Sequence, residues 1–290
     1  MYKPQAAGKG SEREAAVDLD YGQLFYRESG TGPALLFIHG LLANGGLWSQ
    51  LLPLLSTSFR CVMPDLPLGS HRLPMSGDAD LTPAGIADLI AAFIEKLDLR
   101  EVTIVGNDTG GAFCQMMMTQ HPDRLAAAVL TNCDCYENFL PWSLRALHWG
   151  AFFPGFTFAV AQLMRPKLVR ELVFAALAHC PPPRVVLDSC LDPLLRLPLV
   201  RRDLSKVLRG ISNRYTLAAA RNFANFKKPV LIVWGEDDLF FPMRYAKRLA
   251  RDFPNARLET IAKSRTFVCL DQPQTLAQMI ARFARGRAAA

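Results

Sequence analysis

The sequence lacks the features that mark several large classes of protein. It has seven cysteines in 290 residues but no CxxC pair, and Cys133 with Cys135 alone is a poor metal signature. We therefore expect reduced core thiols in a cytoplasmic protein. No internal repeat or low-complexity block occurs, and residues 1–16 lack the apolar stretch of a signal peptide. These absences leave a globular protein with a large core, preceded by a flexible arm over residues 1–16.

Long apolar runs are also scarce. One segment, residues 147–164, contains no Asp, Glu, Lys or Arg over 18 residues, which only just reaches the length needed to span a bilayer. Gly150, Pro154 and Gly155 interrupt it. We interpret this segment as the lining of an apolar pocket, and contact with a membrane surface is the alternative.

The positive charge is confined to one part of the chain. The net charge is +7, but residues 136–228 alone contain 14 Lys and Arg against 5 Asp and Glu, a net charge of +9. The arginines there are dispersed and form no stripe interleaved with aromatic residues. This pattern favours a solvated basic face over a nucleic-acid site.

Short apolar runs alternate with helical periodicity along most of the chain. Runs such as residues 34–38 ("ALLFI") and 230–234 ("VLIVW") are typical of strands buried on both faces, so a doubly wound, mostly parallel sheet is predicted. The alternation stops between residues 136 and 228, which read as helices punctuated by proline. We predict a core of residues 17–135 and 229–285, with residues 136–228 inserted after the sixth strand as a helical cap.

Asp108 occupies a conspicuous position in this pattern. It lies between a β-branched run and a helical segment, in the sequence Gly106-Asn107-Asp108-Thr109-Gly110. A sharp strand-to-helix turn presents the central side chain clear of the sheet and needs small neighbours, because the backbones crowd there. This is the pattern of a nucleophile elbow.

With this elbow the chain resembles the α/β-hydrolase superfamily over roughly residues 17–285. His39-Gly40 resembles the family's oxyanion loop, which implies that the backbone N–H groups of Leu41 and Thr109 face developing negative charge. The segment from Gly235 to Pro242 matches the family's GxxDxxxP, which implies that Asp238 is the acid of the catalytic triad. "Asp271-Gln272-Pro273" matches the segment that follows the family's histidine.

With an aspartate in the elbow, the chain resembles the haloalkane-dehalogenase and epoxide-hydrolase branch of this superfamily. A carboxylate that attacks a saturated carbon gives a stable ester, whereas attack on an ester carbonyl would give a labile anhydride. Asp108 is therefore expected to act by displacement at an sp³ carbon of a small apolar substrate. No metal or organic cofactor is implied. Thr109 stands where dehalogenases usually carry a halide-binding tryptophan.

The family's histidine is missing. Counting seven residues back from Pro273 gives Thr266, whose hydroxyl cannot accept a proton near neutral pH. Among the five histidines, His71 follows the fourth strand on the active-site edge and is the best candidate for a replacement base. Asp134, after the sixth strand, is a second candidate acid or an ordinary turn carboxylate. Without a histidine, Asp108 and Asp238 could also share a proton.

The remaining site residues are expected in the cap and the oxyanion loop. We predict a substrate pocket under the cap, whose lining includes His39, Tyr136, Phe152, Phe153, Phe156, Phe158 and Tyr215. Two other functions stay open: a non-catalytic homologue that binds a lipophilic ligand or a partner, and a lyase or isomerase that uses Asp108 for acid–base chemistry. The sequence does not set the oligomeric state.

Overall fold

The computed structural model describes residues 12–288, with eight strands in a single sheet. The strands in chain order are β1 (Arg13–Leu19), β2 (Gly22–Ser29), β3 (Ala34–Ile38), β4 (Arg60–Pro64), β5 (Val102–Asp108), β6 (Leu125–Cys133), β7 (Val230–Gly235) and β8 (Ala256–Ile261). Their order across the sheet is β1-β2-β4-β3-β5-β6-β7-β8. The β1–β2 and β2–β4 pairs are antiparallel, and every other pair is parallel. β5, which ends at Asp108, lies near the middle.

Helices cover both faces of this sheet. Before β6, the helices are α1 (Leu52–Leu55), α2 (Pro83–Lys96) and α3 (Thr109–Gln120). Side chains alternate between two cores: Leu36 and Ile38 of β3 pack with α2 and α3, whereas Leu35 and Phe37 pack with α1. Alternation of this kind is what a strand buried on both faces requires.

The residues between β6 and β7 contain helices and no strand. They are α4 (Arg145–Gly150), α5 (Phe156–Leu163), α6 (Lys167–Leu177), α7 (Arg184–Arg196), α8 (Pro198–Gly210) and α9 (Asn213–Ala220), with short 3-10 turns at Trp142–Leu144 and Phe223–Asn225. After β7 come α10 (Met243–Asp252), α11 (Val268–Asp271) and α12 (Pro273–Ala288). Within the described residues, α10 belongs to the same core as α2 and α3, and α11 and α12 belong to the core that contains α1.

This architecture confirms the predicted doubly wound, mostly parallel sheet with helices inserted after the sixth strand. The predicted arm at residues 1–16 is wrong at its end, because Arg13–Leu19 already form β1 and pair along their whole length with β2. Residues 1–11 lie outside the described residues. The division of the chain into core and cap at residues 135 and 229 stays a prediction.

Candidate active site

The turn between β5 and α3 has the geometry that its glycines imply. Asp108 has φ 53° and ψ −135°, a conformation that L-residues rarely adopt. A Cβ atom on Gly110 would lie 2.3 Å from the carbonyl oxygen of Ile38, and one on Gly106 would lie 2.5 Å from Cys114 Sγ. Neither position has room for a side chain, so the strained backbone at Asp108 is held by close packing on both sides.

The Asp108 carboxylate lies against the loop that follows β3. A Cβ atom on Gly40 would lie 2.1 Å from Asp108 Oδ2, so only glycine leaves space for the carboxylate there. Burial raises the pKa of Asp108 to about 7, the nearby Asp238 adds to this, and the backbone N–H of Thr109 acts in the opposite direction. The side chain is therefore close to half protonated near neutral pH.

Asp238 is held by donors from its own loop and from β6. Its Oδ1 accepts hydrogen bonds from the N–H groups of Phe240 (2.6 Å) and Phe241 (2.9 Å), and its Oδ2 accepts one from Asn132 Nδ2 at 2.6 Å. Burial raises the pKa of this carboxyl, although these donors oppose the shift. Repulsion from Asp238 raises the pKa of Asp108, and the sharing of a proton between the two carboxyls stays a prediction.

Thr266, which the sequence predicts at the position of the family's histidine, lies beside Asp238. Its hydroxyl is close enough to Asp238 to lower the pKa of that carboxyl. Among the described residues, however, no group lies in the right geometry for a hydrogen bond with this hydroxyl. Asn107 Nδ2 donates to the Thr266 carbonyl oxygen at 2.7 Å and so ties this loop to the end of β5. Thr266 is completely buried. The structure therefore brings together Asp108, Asp238 and Thr266, the three residues that the resemblance predicts at the triad positions.

Asp134 supplies a third buried carboxyl. Its Oδ2 accepts a hydrogen bond from Thr109 Oγ1 at 3.0 Å, and its Oδ1 has no partner among the described residues. Burial raises its pKa well above the usual range, and repulsion from Asp108 raises it further. Burial therefore favours the neutral form of Asp134, and its role as a second acid stays a prediction.

No cation balances these three carboxyls. Within residues 12–288, neither Lys, Arg nor His forms a salt bridge with Asp108, Asp134 or Asp238. The same described residues contain no group of three or more His, Cys, Asp or Glu placed to hold a metal ion. Protons are therefore the means by which this cluster limits its negative charge.

Asp108 opens into an apolar cavity of about 230 Å³ between the sheet and the inserted helices. Apart from Asp108 and Thr109 its lining is apolar, and Asp108 is its one ionisable residue within the described part of the chain. The cavity is smaller than the usual range for ligand pockets, so it suits a small apolar molecule. The apolar lining residues are Leu41, Leu42, Leu140, Leu144, Leu147, Met164, Val173, Phe174, Ala176, Leu177, Leu191, Phe240, Phe241 and Phe267.

The predicted aromatic lining is not found at this cavity. Phe152, Phe153 and Phe158 are more than half exposed, and Phe156 packs at the edge of the core. Leucines and Phe174 of α6 and α7 line the cavity instead. The physical reason is that a short helix buries one side, and the exposed phenylalanines of α5 and of the turn that precedes it fall on the outer side.

Three other predicted contacts are used elsewhere. Tyr136 is fully buried and donates its hydroxyl to Asp252 at 2.9 Å, and the Tyr215 hydroxyl accepts from Arg214 at 2.7 Å. His39 has no exposed surface, its Nδ1 lies 2.8 Å from the Gly40 carbonyl oxygen, and its Nε2 accepts from the N–H of Leu66. Burial lowers the pKa of His39 to about 4, so it is a neutral part of the loop.

His71 does not reach Asp108 either. Its Nε2 lies 3.1 Å from Oδ2 of Asp203, a fully buried residue of α8 that also accepts the N–H of Met75. The pair fixes the loop after β4 against the inserted helices. None of the described histidines lines the cavity.

Two asparagines that sequence reasoning missed hold the site together. Asn107 bridges the elbow to the Thr266 loop, and Asn132 joins β6 to Asp238 and to the N–H of Gly235. Their signal in the sequence is a polar residue at the carboxyl end of an apolar strand, close to an aspartate. Asn107 directly precedes Asp108, and one residue separates Asn132 from Asp134. Such a residue needs internal hydrogen-bond partners.

Comparison with known proteins agrees with this geometry. Residues 33–273 match the sequence pattern of the alpha/beta hydrolase fold family, so the chain belongs to that family. Haloalkane dehalogenase 2 of Mycobacterium tuberculosis is 27% identical over 275 residues, which cover 91% of this chain and 92% of that protein. An uncharacterized hydrolase of Bacillus subtilis, YugF, is 25% identical over 251 residues, or 86% and 89% of the two chains.

Solved structures show the same fold. An ancestral haloalkane dehalogenase superposes with a TM-score of 0.79 at 21% identity, and the match covers 95% of this chain and 100% of that chain. At a sequence identity this low, the structural similarity shows that the fold is shared and nothing more.

Proposed function

We propose that this protein is an enzyme of the hydrolase fold that takes a small haloalkane-type molecule into the cavity and attacks it with Asp108. The observation that carries the proposal is the position of the Asp108 carboxyl, which is the one ionisable group among the described residues that line a mostly apolar cavity. An apolar substrate fits such a lining, and a buried carboxylate is poorly solvated and therefore a stronger nucleophile. The likeness to a protein named haloalkane dehalogenase supports the same choice.

The first step balances without a further group. Asp108 Oδ forms a bond to the sp³ carbon, the carbon–halogen bond breaks, and the halide leaves with the electron pair. An epoxide would leave an alkoxide that needs a proton donor, and neither Tyr136 nor Tyr215 lines the cavity. Haloalkanes therefore suit this site better than epoxides.

The second step lacks its usual base. Hydrolysis of the alkyl ester needs a water molecule that gives up a proton, and Thr266 cannot take that proton near neutral pH. Asp238 is oriented by Asn132, Phe240 and Phe241, but it has no imidazole to orient. The ester on Asp108 is thus expected to form and to clear slowly.

Mass spectrometry of the intact protein tests this proposal. We expect incubation with short 1-bromoalkanes to add the mass of the alkyl group, and peptide mapping to place it on Asp108. Asp108→Asn keeps the shape of the side chain without a nucleophilic carboxylate, so it should remain unmodified. Asp134→Asn is the matched control, because Asp134 is a buried carboxyl beside the elbow but does not line the cavity. An adduct on a cysteine, or none on Asp108, would contradict the proposal.

Thr266→His asks whether the missing base is the reason for slow clearance. An imidazole beside Asp238 would accept the proton of the attacking water, so release of alcohol should become continuous and the adduct should not accumulate. Because Thr266 is fully buried, the variant's thermal unfolding is measured beside its activity. A folded Thr266→His protein that still accumulates adduct as the parent does would show that clearance has another cause.

A second function is favoured by one observation, the raised pKa of Asp108. A carboxyl with a pKa of about 7 is half protonated near neutral pH and is suited to general acid–base chemistry, as in a lyase or isomerase. In that case Asp108→Asn would abolish turnover while the parent protein never carries an adduct. Tight binding of apolar ligands with neither adduct nor turnover would instead identify a non-catalytic binding protein.

A further inference from the structure

The outer side of α4, α5 and the turn between them carries a group of exposed apolar side chains, which we call the aromatic surface. Each member is more than half exposed, although each would be expected to be mostly buried in a protein of this size. They fall within 15 consecutive residues. The aromatic surface consists of Trp149, Phe152, Phe153, Phe158 and Leu163.

Arginines of α8 hold this surface together. The Arg209 guanidinium lies 5.9 Å from the centre of the Phe152 ring, and that of Arg201 lies 5.5 Å from the Phe158 ring. Eight residues separate these arginines, so the two contacts are about 12 Å apart along the helix. The exposed rings thus form one surface with cationic groups between and beside them.

The chain segment that carries the aromatic surface has charge of one sign. Residues 142–170 contain no Asp or Glu, and their four basic residues include the exposed Arg145 and Arg165 on either side of the aromatic surface. A second copy of this chain would bring the same positive charge to the interface and would be repelled. An occupant that is apolar in its interior and negative at its boundary matches both features.

We propose that the aromatic surface docks on an anionic lipid bilayer, with its rings among the head groups and the nearby arginines on the lipid phosphates. Aromatic side chains favour this interface, and basic residues beside them strengthen binding to anionic lipids. In the described part of the chain no helix has the length and apolar character to cross a membrane. The contact is therefore a surface contact made by side chains of two short helices.

Docking would also place the cavity beside the bilayer. Leu147 of α4 and Met164 after α5 line the cavity from the inner side of the same helices, and Val173 of α6 both lines it and is 40% exposed. Apolar small molecules concentrate in a bilayer, so substrate could enter from there. This consequence rests on the proposed function of Asp108, whereas docking itself does not.

Vesicle flotation with the purified full chain tests the docking. The protein should float with phosphatidylcholine vesicles that contain phosphatidylglycerol, bind far less to pure phosphatidylcholine, and be released by high salt. Equal binding to both vesicles would overturn the proposal, and so would no binding to either. A dimer in solution that disappears when the aromatic surface is altered, without vesicle binding, would identify a second copy as the occupant and also overturn it.

Two variants and two controls locate the contact. Phe152→Ser with Phe153→Ser should weaken binding to anionic vesicles at least tenfold, and Arg145→Gln with Arg165→Gln by about 30-fold at low salt. Tyr21→Ser removes an exposed aromatic residue from the turn between β1 and β2 and should change nothing. Asp108→Asn should bind like the parent, which separates docking from the chemistry of the cavity. Unchanged binding in both surface variants would contradict the assignment.

Discussion

Replacing Asp108 by Asn should stabilise the folded protein, and more so as the pH rises. Burial raises the pKa of Asp108 from its ordinary value of 3.8 to about 7, so the folded state holds this proton to a higher pH than the unfolded chain does. Stability from this group is complete below about pH 4 and is lost as the pH rises through about 7. Asparagine has no charge to bury and tolerates the positive φ of this position.

The size of the effect follows from the pKa shift. A pKa raised from 3.8 to about 7 corresponds to about 4 kcal/mol once the carboxyl is ionised, and the effective dielectric constant of a protein interior reduces this to about 2 kcal/mol. For a chain of this size, that difference raises the Tm of Asp108→Asn above the parent's by about 4 °C at alkaline pH. At about pH 5, where the folded carboxyl is protonated, the gain should be less than half as large.

Thermal unfolding of the parent and Asp108→Asn at about pH 5 and about pH 8.5 measures the difference. Asp20→Asn, an exposed aspartate of the β1–β2 turn, is the control and should give the same small change at both pH values. If Asp108→Asn is no more stable than the parent at alkaline pH, the carboxyl is not destabilised by burial, and the description of the cluster is wrong.

Three further results follow from the same geometry. The rate of adduct formation should rise about tenfold per pH unit up to about pH 7 and then level off, because only ionised Asp108 attacks, and quenched time courses by mass spectrometry would show this. Gly40→Ala puts a methyl group where the Asp108 carboxylate lies, so it should slow the adduct about 100-fold in a protein that remains folded by circular dichroism. His71→Ala breaks the buried contact with Asp203 and should lower the free energy of unfolding by about 2–3 kcal/mol, measured by urea titration, while adduct formation stays unchanged. A His71→Ala protein that is stable but clears the adduct more slowly than the parent would instead make His71 the base.

The sheet and the elbow could be predicted from sequence because their signals are local. An apolar run between turn residues indicates a buried strand wherever it lies in the chain. The glycines around Asp108 indicate a turn in which the backbone leaves no room for side chains. The structure places Asp238 and Thr266 next to each other, at the positions that counting from Pro242 and Pro273 gives. In each case a few neighbouring residues determine the geometry.

The cap could not be predicted in the same way, because no local pattern says which side of a short helix faces a cavity. Phe152 and Phe153 were expected in the pocket on account of their apolar character, yet they lie outside, and leucines of α6 and α7 line the cavity. The partner of His71 is Asp203 of α8, which lies 132 residues further along the chain. The sequence around either residue contains no pattern that predicts a contact over that separation.

A carbon-13 NMR titration of aspartate-labelled protein, with Asp108→Asn used to assign the signal, tests most directly whether this carboxyl is buried beside the cavity without a cation. A midpoint near pH 7 is the predicted result. A midpoint near pH 4 would mean that water or a positive group stabilises the carboxylate, which would contradict a buried Asp108 carboxyl without a cation beside it.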